Sequence, residues 1–375
     1  MTDQRIERLG ELIVGYSLGL RPGETVRIDV PVVATPLGLA IAQAALRVGA
    51  RPILAAKLPE LEELLLREGS DEQLGWTSPI AACELAEVDA AVTIWAETNT
   101  RSRSRLDPRR EQLRSVALGH QAATLRARVG RGEARWCGVL YPTHAHAQEA
   151  ELSYREYADL LLAACHVDGP DPAAHWRGVA VALAARAEAL APVRELRILA
   201  DGTDLTLSVA GRSWIAADGR QNLPDGEVFT SPLETSARGE VAFSFPVAFG
   251  GHELDGVRLR FEGGRVVHAE ARVGQQHLQA MLATDAGASL LGEVAFGLNP
   301  ELDRPLRHIG LDEKIAGTMH LALGRGFPQA GGSNLSAVHT DLVLDTRAGA
   351  EVLADGEAIF RDGRFLHDVS AGGAA

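Results

Sequence analysis

Two short segments near the C-terminal end carry imidazole and carboxylate at a spacing suited to strands. In "SNLSAVHTDLVLD" (333–345), His339 and Asp341 are two residues apart within an apolar run containing Val338, Leu342 and Leu344. In "TMHLALG" (318–324), Met319, Leu321 and Leu323 alternate with Thr318, His320 and Ala322. Successive side chains of a strand point to opposite faces, so His339 and Asp341 share one face and His320 lies on a face of small or polar residues. Imidazole and carboxylate together suit a divalent ion such as zinc, cobalt or manganese. Taken alone, each histidine reads first as a hydrogen-bonded residue at a strand edge; the His339 and Asp341 pair brings the metal reading level with that one. Two glutamates are placed comparably. Glu227 stands after the turn in "NLPDGEVFTSP", and Glu293 is flanked by apolar residues in "LLGEVAFG". A buried, ionised glutamate needs a cation or a donor network; the alternative for each is a surface-pointing residue at a strand start.

These segments need a scaffold. Apolar positions at helical spacing over 4–18 predict a first helix, broken by "RPGET" ahead of the β-branched run "VRIDVPV". "TPLGLAIAQAALRVGA" predicts a helix with Thr35 as N-cap, Pro36 in its first turn and Gly49 near its end. "RPILAAK", 88–97 and 134–142 read as strands, with helices over 108–127, 154–166 and 171–191. The alternation predicts an α/β domain over 1–191, a parallel sheet flanked by helices. Beyond it, alternating residues and turn signals, including a hairpin at Gly263-Gly264, predict a mostly antiparallel β (α+β) domain over 192–375. That domain carries the metal candidates and one helix near 275–291.

Composition narrows the function. The formal net charge of −13 argues against a sequence-independent grip on nucleic acid and against membrane binding through lysines. No apolar run approaches the ~20 residues of a spanning helix. The charged, amphipathic N-terminus is not a signal peptide. Cys83, Cys137 and Cys165 show no paired spacing, so the default compartment is the reducing cytoplasm. Phosphate-binding loops and a serine-hydrolase order are absent from the sequence. Two further clusters stand apart. "THAHAQEAE" (143–151) holds His144 and His146 near Glu149 and Glu151, and reads as a surface cluster at a helix start, with a second metal site or a cleft lining as alternatives. "RSRSRLDPRR" (101–110) reads as a solvated basic loop.

In this order, "NLPDGEVFTSP", "LGEVAFGLNP", "DEKIAGTMHLALG" and "NLSAVHTDLVLD" resemble the thermophilic metallo-aminopeptidases of peptidase family M29. "LRPGETVRIDV", "PLGLAIAQAALRVGA" and "DPAAHW" extend the resemblance over nearly the whole chain. It implies two divalent metal ions (zinc, cobalt or manganese) bound by Glu227, Glu293, His320, His339 and Asp341. Glu313 is the nearest counterpart of a further family glutamate, although its spacing to His320 is longer than in the aminopeptidase T type. The resemblance also implies a small peptide substrate and a homodimer. Glu293 and Glu313 are candidates for the general base of a hydrolase, with a metal-bridging carboxylate as an equal alternative. One departure concerns "GRGFP", which puts Phe327 where the aminopeptidase T type has a tyrosine. Two alternatives stand beside this reading. One is a ring-cleaving dioxygenase of the dihydroxypyridine type, in which one Fe(II) is held by His320, His339 and Asp341. The other is a non-catalytic binding protein.

Overall fold

The computed structural model describes residues 3–249 and 251–366. The chain forms two compact units. One runs up to Trp176 and includes Gly219–Pro224; the other comprises Arg177–Asp218 and the chain from Asp225 onward. The change of sequence texture at about 191 therefore falls later than the boundary between the units, which lies within the helix Pro172–Leu190.

The first unit is built on a five-stranded parallel sheet in the order 51–57, 25–31, 90–95, 135–140, 222–223. The Thr25–Pro31 and Ala90–Trp95 strands are mostly buried on both faces, as expected for strands covered on both sides. The edge strand Arg51–Lys57 is mostly exposed and carries a cation at each end, which discourages further strand pairing. The fifth strand, Asn222–Leu223, returns from the C-terminal half of the sequence and was not foreseen from it.

The first helix, Gln4–Leu12, continues as a π-helical turn over Ile13–Ser17. It buries Ile6, Leu9 and Leu12, and Gly10 lets it approach the next helix closely, because a Cβ there would lie 2.7 Å from the Ala40 carbonyl carbon. Thr35 does not cap the following helix. Ala34 occupies the N-cap, Thr35 is the first helical residue, and its hydroxyl donates back to the Val32 carbonyl across a 3₁₀ turn.

The second unit holds an eight-stranded antiparallel sheet and a five-stranded one in the order 339–345, 318–324, 291–297, 227–230, 215–217. A single apolar core joins Leu196, Ile198, Leu205 and Leu207 of the larger sheet to Phe296, Met319, Leu321 and Leu342 of the smaller. The helix expected over 275–291 is shorter, Gln275–Leu282. Asp285 stops it: its carboxylate accepts from the backbone N–H groups of Gly287 and Ala337, and from the Ser336 hydroxyl. Short polar side chains compete for backbone in this way. The chain then turns into the strand Leu291–Gly297.

Candidate metal centre

One face of the five-stranded sheet supplies the core, and the other carries the charged groups. On the core side lie Val228, Val294, Phe296, Met319, Leu321, Leu323, Leu342 and Leu344. Strand alternation puts Glu227, Glu293, His320, His339 and Asp341 on the opposite side. Register brings them together: Glu293 pairs with Ala322, which pairs with Asp341, while Ala295 pairs with His320 and Gly324 with His339. Ala295, Ala322 and Gly324 are small, leaving room for the imidazoles and carboxylates above them.

Glu293 reaches this face through a bulge. Leu291 is in the core and opposes Leu323, yet Glu293, two residues later, opposes Ala322. In a regular strand Glu293, two residues on, would share the core face of Leu291; the bulge, with Gly292 as its extra residue, turns it to the other face. Bulges re-aim side chains in this way. Glycine is required there, since a Cβ would lie 2.2 Å from the Arg325 carbonyl oxygen.

The five side chains form two donor groups that share Glu293. His320 Nε2 is 3.4 Å from Glu227 Oε2 and 3.6 Å from Glu293 Oε1. His339 Nε2 is 3.3 Å from Glu293 Oε2 and 3.7 Å from Asp341 Oδ1. Each oxygen of Glu293 thus faces a different histidine. The His339 Nδ1 lies 2.8 Å from the Arg325 carbonyl oxygen; donating to it fixes the ring and leaves Nε2 toward the carboxylates. Glu313 also comes to the cluster. It caps the short helical turn Ile309–Asp312 and groups with His320 and Asp341.

Sequence reasoning missed Lys314 and Asp225. Lys314 is buried, with Nζ 2.5 Å from Glu227 Oε1, 2.8 Å from Glu313 Oε1 and 3.4 Å from Asp225 Oδ1. The available signal was a lysine set between Leu311 and Ile315, both apolar and both buried. Burial works against its charge, but the three carboxylates outweigh it and hold the ammonium well above its ordinary range.

The electrostatics are those of a cation-seeking cluster. Burial pushes the Glu227 carboxyl up to about 8 against the pull of Lys314 and His320. Burial likewise raises Asp341 to about 7, despite His339. Burial opposes charge on the imidazoles too, yet the neighbouring carboxylates raise His320 to about 10 and His339 to about 9. For Glu293, the attraction of both neighbouring histidines overcomes burial and holds it down at about 2. Protons are thus retained where a stronger cation could replace them. Glu227 Oε2 and Asp341 Oδ1 are buried without a hydrogen-bond partner. Unsatisfied buried carboxylate oxygens are costly, and these lie beside imidazole nitrogens, so the donor set fits divalent ions.

Phe327 stands beside this cluster, its ring 5.1 Å from that of His339 and 4.9 Å from that of Phe229. The 143–151 cluster differs from its surface reading. Thr143 caps the helix His144–Glu149, and His146 is buried, with Nε2 2.5 Å from Glu97 Oε2. Arg101, in the basic run, pairs with Glu149 at 2.8 Å.

The chain is similar to known aminopeptidases over nearly its whole length. Aminopeptidase 2 of Geobacillus stearothermophilus is 28% identical, over 98% of this chain and 99% of the relative. Aminopeptidase T of Thermus thermophilus is 29% identical, over 96% of each. The solved structure of wild-type AmpT from Thermus thermophilus superposes with a TM-score of 0.83 at 25% identity, covering 97% of this chain and 99% of that one. None of these supports the ring-cleaving alternative. The family model described as "Thermophilic metalloprotease (M29)" matches residues 2–365, and the chain belongs to that family.

Proposed function

We propose that this protein is a metal-dependent aminopeptidase that removes N-terminal residues from short peptides. We assign one divalent ion to Glu227, Glu293 and His320, and a second to Glu293, His339 and Asp341. The observation that carries this reading is the convergence of these five side chains on one sheet face, with buried carboxylate oxygens that lack a hydrogen bond. Charge supports two ions. Asp225, Glu227, Glu293, Glu313 and Asp341 against Lys314 leave a formal −4, the charge that two dications balance. Imidazole with carboxylate suits zinc, cobalt or manganese.

When bound, such ions supply Lewis acidity, polarising a carbonyl and lowering the pKa of water. The chain's own residues do the rest. Glu293 spans the two donor groups and is held ionised by both histidines. Arg325 orients His339 through its carbonyl. The side chain of Glu313 is 14% exposed, against 6% for Glu227 and 5% for Glu293, so we assign to it the proton taken from the attacking water. Phe327 brings an apolar edge to the cluster and has no hydroxyl with which to bond a substrate oxygen.

A homodimer in the cytoplasm completes the reading. No disulfide links Cys83, Cys137 and Cys165 among the described residues, in keeping with a reducing compartment. Light scattering tests the dimer. Among the described residues no helix is long and apolar enough to cross a membrane. The test of function is hydrolysis of leucine-p-nitroanilide by protein loaded with zinc, cobalt or manganese. Amide cleavage that stops on chelation and returns with metal is expected; no cleavage with any of the three overturns the assignment.

A further inference from the structure

Peptide hydrolysis by these groups leaves the buried charge of Lys314 without a role. Lys314 is 1% exposed, and its ammonium has three hydrogens for three carboxylates, those of Glu227, Glu313 and Asp225. Glu227 is thereby divided. Its Oε1 belongs to Lys314, and only Oε2 faces His320. The other donor group is different. Among the described residues, Glu293 and Asp341 pair with histidine, and no lysine or arginine reaches them.

We propose that Lys314 is a built-in competitor for metal: its ammonium occupies carboxylate oxygens on the Glu227 side, so that Glu227, Glu293 and His320 bind a divalent ion more weakly than Glu293, His339 and Asp341 do. The physics is direct. A lysine ammonium is a compact point charge, and it sits on a ligand of one ion but not on those of the other. Repulsion between a unit charge and a dication a few ångströms apart changes affinity by about tenfold or more even at the effective dielectric of a protein. The lysine also withholds the second oxygen of Glu227, so that carboxylate offers a single donor. The result is one firmly held ion and one exchangeable ion. Lys314 is a positioning residue in this role, acting through Glu227 and Glu313 and not on the substrate.

The inference rests on the two-ion reading, and the experiment separates the two. Full-length protein loaded with Co²⁺ is challenged with increasing amounts of a chromophoric chelator. Wild type is expected to release two equivalents in two resolved steps; release of one equivalent or none would remove the two-ion reading and this proposal with it. In Lys314→Met the earlier step is expected to move to about tenfold higher chelator or more, with the later step little changed. Lys314→Arg, which keeps the charge, should follow wild type. Because the challenge starts from loaded protein, variants that need metal to fold are still measurable, and Lys314→Gln gives a second uncharged side chain that retains a donor. If both uncharged variants give up the first equivalent as readily as wild type, or more readily, Lys314 is a structural residue and the proposal fails.

Discussion

Two pairs of candidate ligands have the same spacing, two residues, and different fates: His144 with His146, and His339 with Asp341. The first pair begins a helix. Residues two apart on a helix lie about 200° apart around its axis, and the two rings part company. His144 stacks on Tyr154 with ring centroids 4.7 Å apart, while His146 turns inward to Glu97. The second pair lies on a strand, where the same spacing returns to the same face, and both side chains meet Glu293 and each other. Residue types two positions apart do not decide whether the pair shares a site. The period of the element beneath them does.

That contrast can be tested by substitution, starting with the largest effects. His339→Ala or Asp341→Asn should remove metal from the folded protein and lower amide hydrolysis by more than the ~100-fold typical of outer-sphere changes. Metal stoichiometry and initial rates on the same preparation check this. Unchanged stoichiometry in both variants would dissolve the strand side of the comparison. Glu313→Gln should lower kcat by about 10²-fold or more with metal content retained, the expected worth of a general base; loss of metal instead would make Glu313 a ligand.

Phe327→Tyr probes the one neighbour that departs from the aminopeptidase T type. A phenol in place of that ring edge adds a donor beside His339 and should raise kcat, by no more than the ~10³-fold worth of a well-aimed oxyanion donor. An unchanged kcat would place the ring outside reach of the reacting carbonyl.

The metal-free strand cluster should also respond to pH in a definite direction. His320 and His339, raised to about 10 and about 9, contribute stability that is complete below the ordinary imidazole range and is lost as pH climbs to those values. Glu227 and Asp341, raised to about 8 and about 7, add to the loss, because the unfolded chain ionises them first. Glu293, held down at about 2, acts only in acid, its contribution fading as pH falls below the ordinary glutamate range. Thermal melts of chelator-treated protein should therefore show a lower Tm at pH 9.5 than at pH 6, and added metal should reduce the difference. Equal Tm values would contradict this balance of charges. The smallest effect belongs to the helix side. His146→Ala should cost about 1 kcal/mol through its bond to Glu97, measured by denaturant unfolding, and should leave the Co²⁺ stoichiometry of the sheet cluster unchanged.

Much of this cluster could be read before the structure. The alternation in "TMHLALG" and "HTDLVLD" separates core from site faces, and the strands keep the expected phase. Glu293 was not legible in the same way. Counting by twos from Leu291 places it in the core, and only the bulge at Gly292 sends it to the other face. A glycine before a glutamate hints at a bulge but does not specify one. Lys314 was hidden for a different reason: a lysine in a charged run ordinarily faces solvent, and its burial depends on three carboxylates, two of them from distant parts of the chain. The strand Asn222–Leu223 was illegible because two residues carry no periodicity, and their place in the parallel sheet comes from pairing with Gly138 and Val139.

The central claim is that one face of the five-stranded sheet is a metal centre built from two donor groups sharing Glu293. Anomalous diffraction at the zinc edge, from crystals grown with zinc, tests it most directly. Two peaks are expected, one among Glu227, Glu293 and His320 and one among Glu293, His339 and Asp341, with Glu293 reaching both. No peak on that face, or zinc bound without His339 and Asp341, would contradict it.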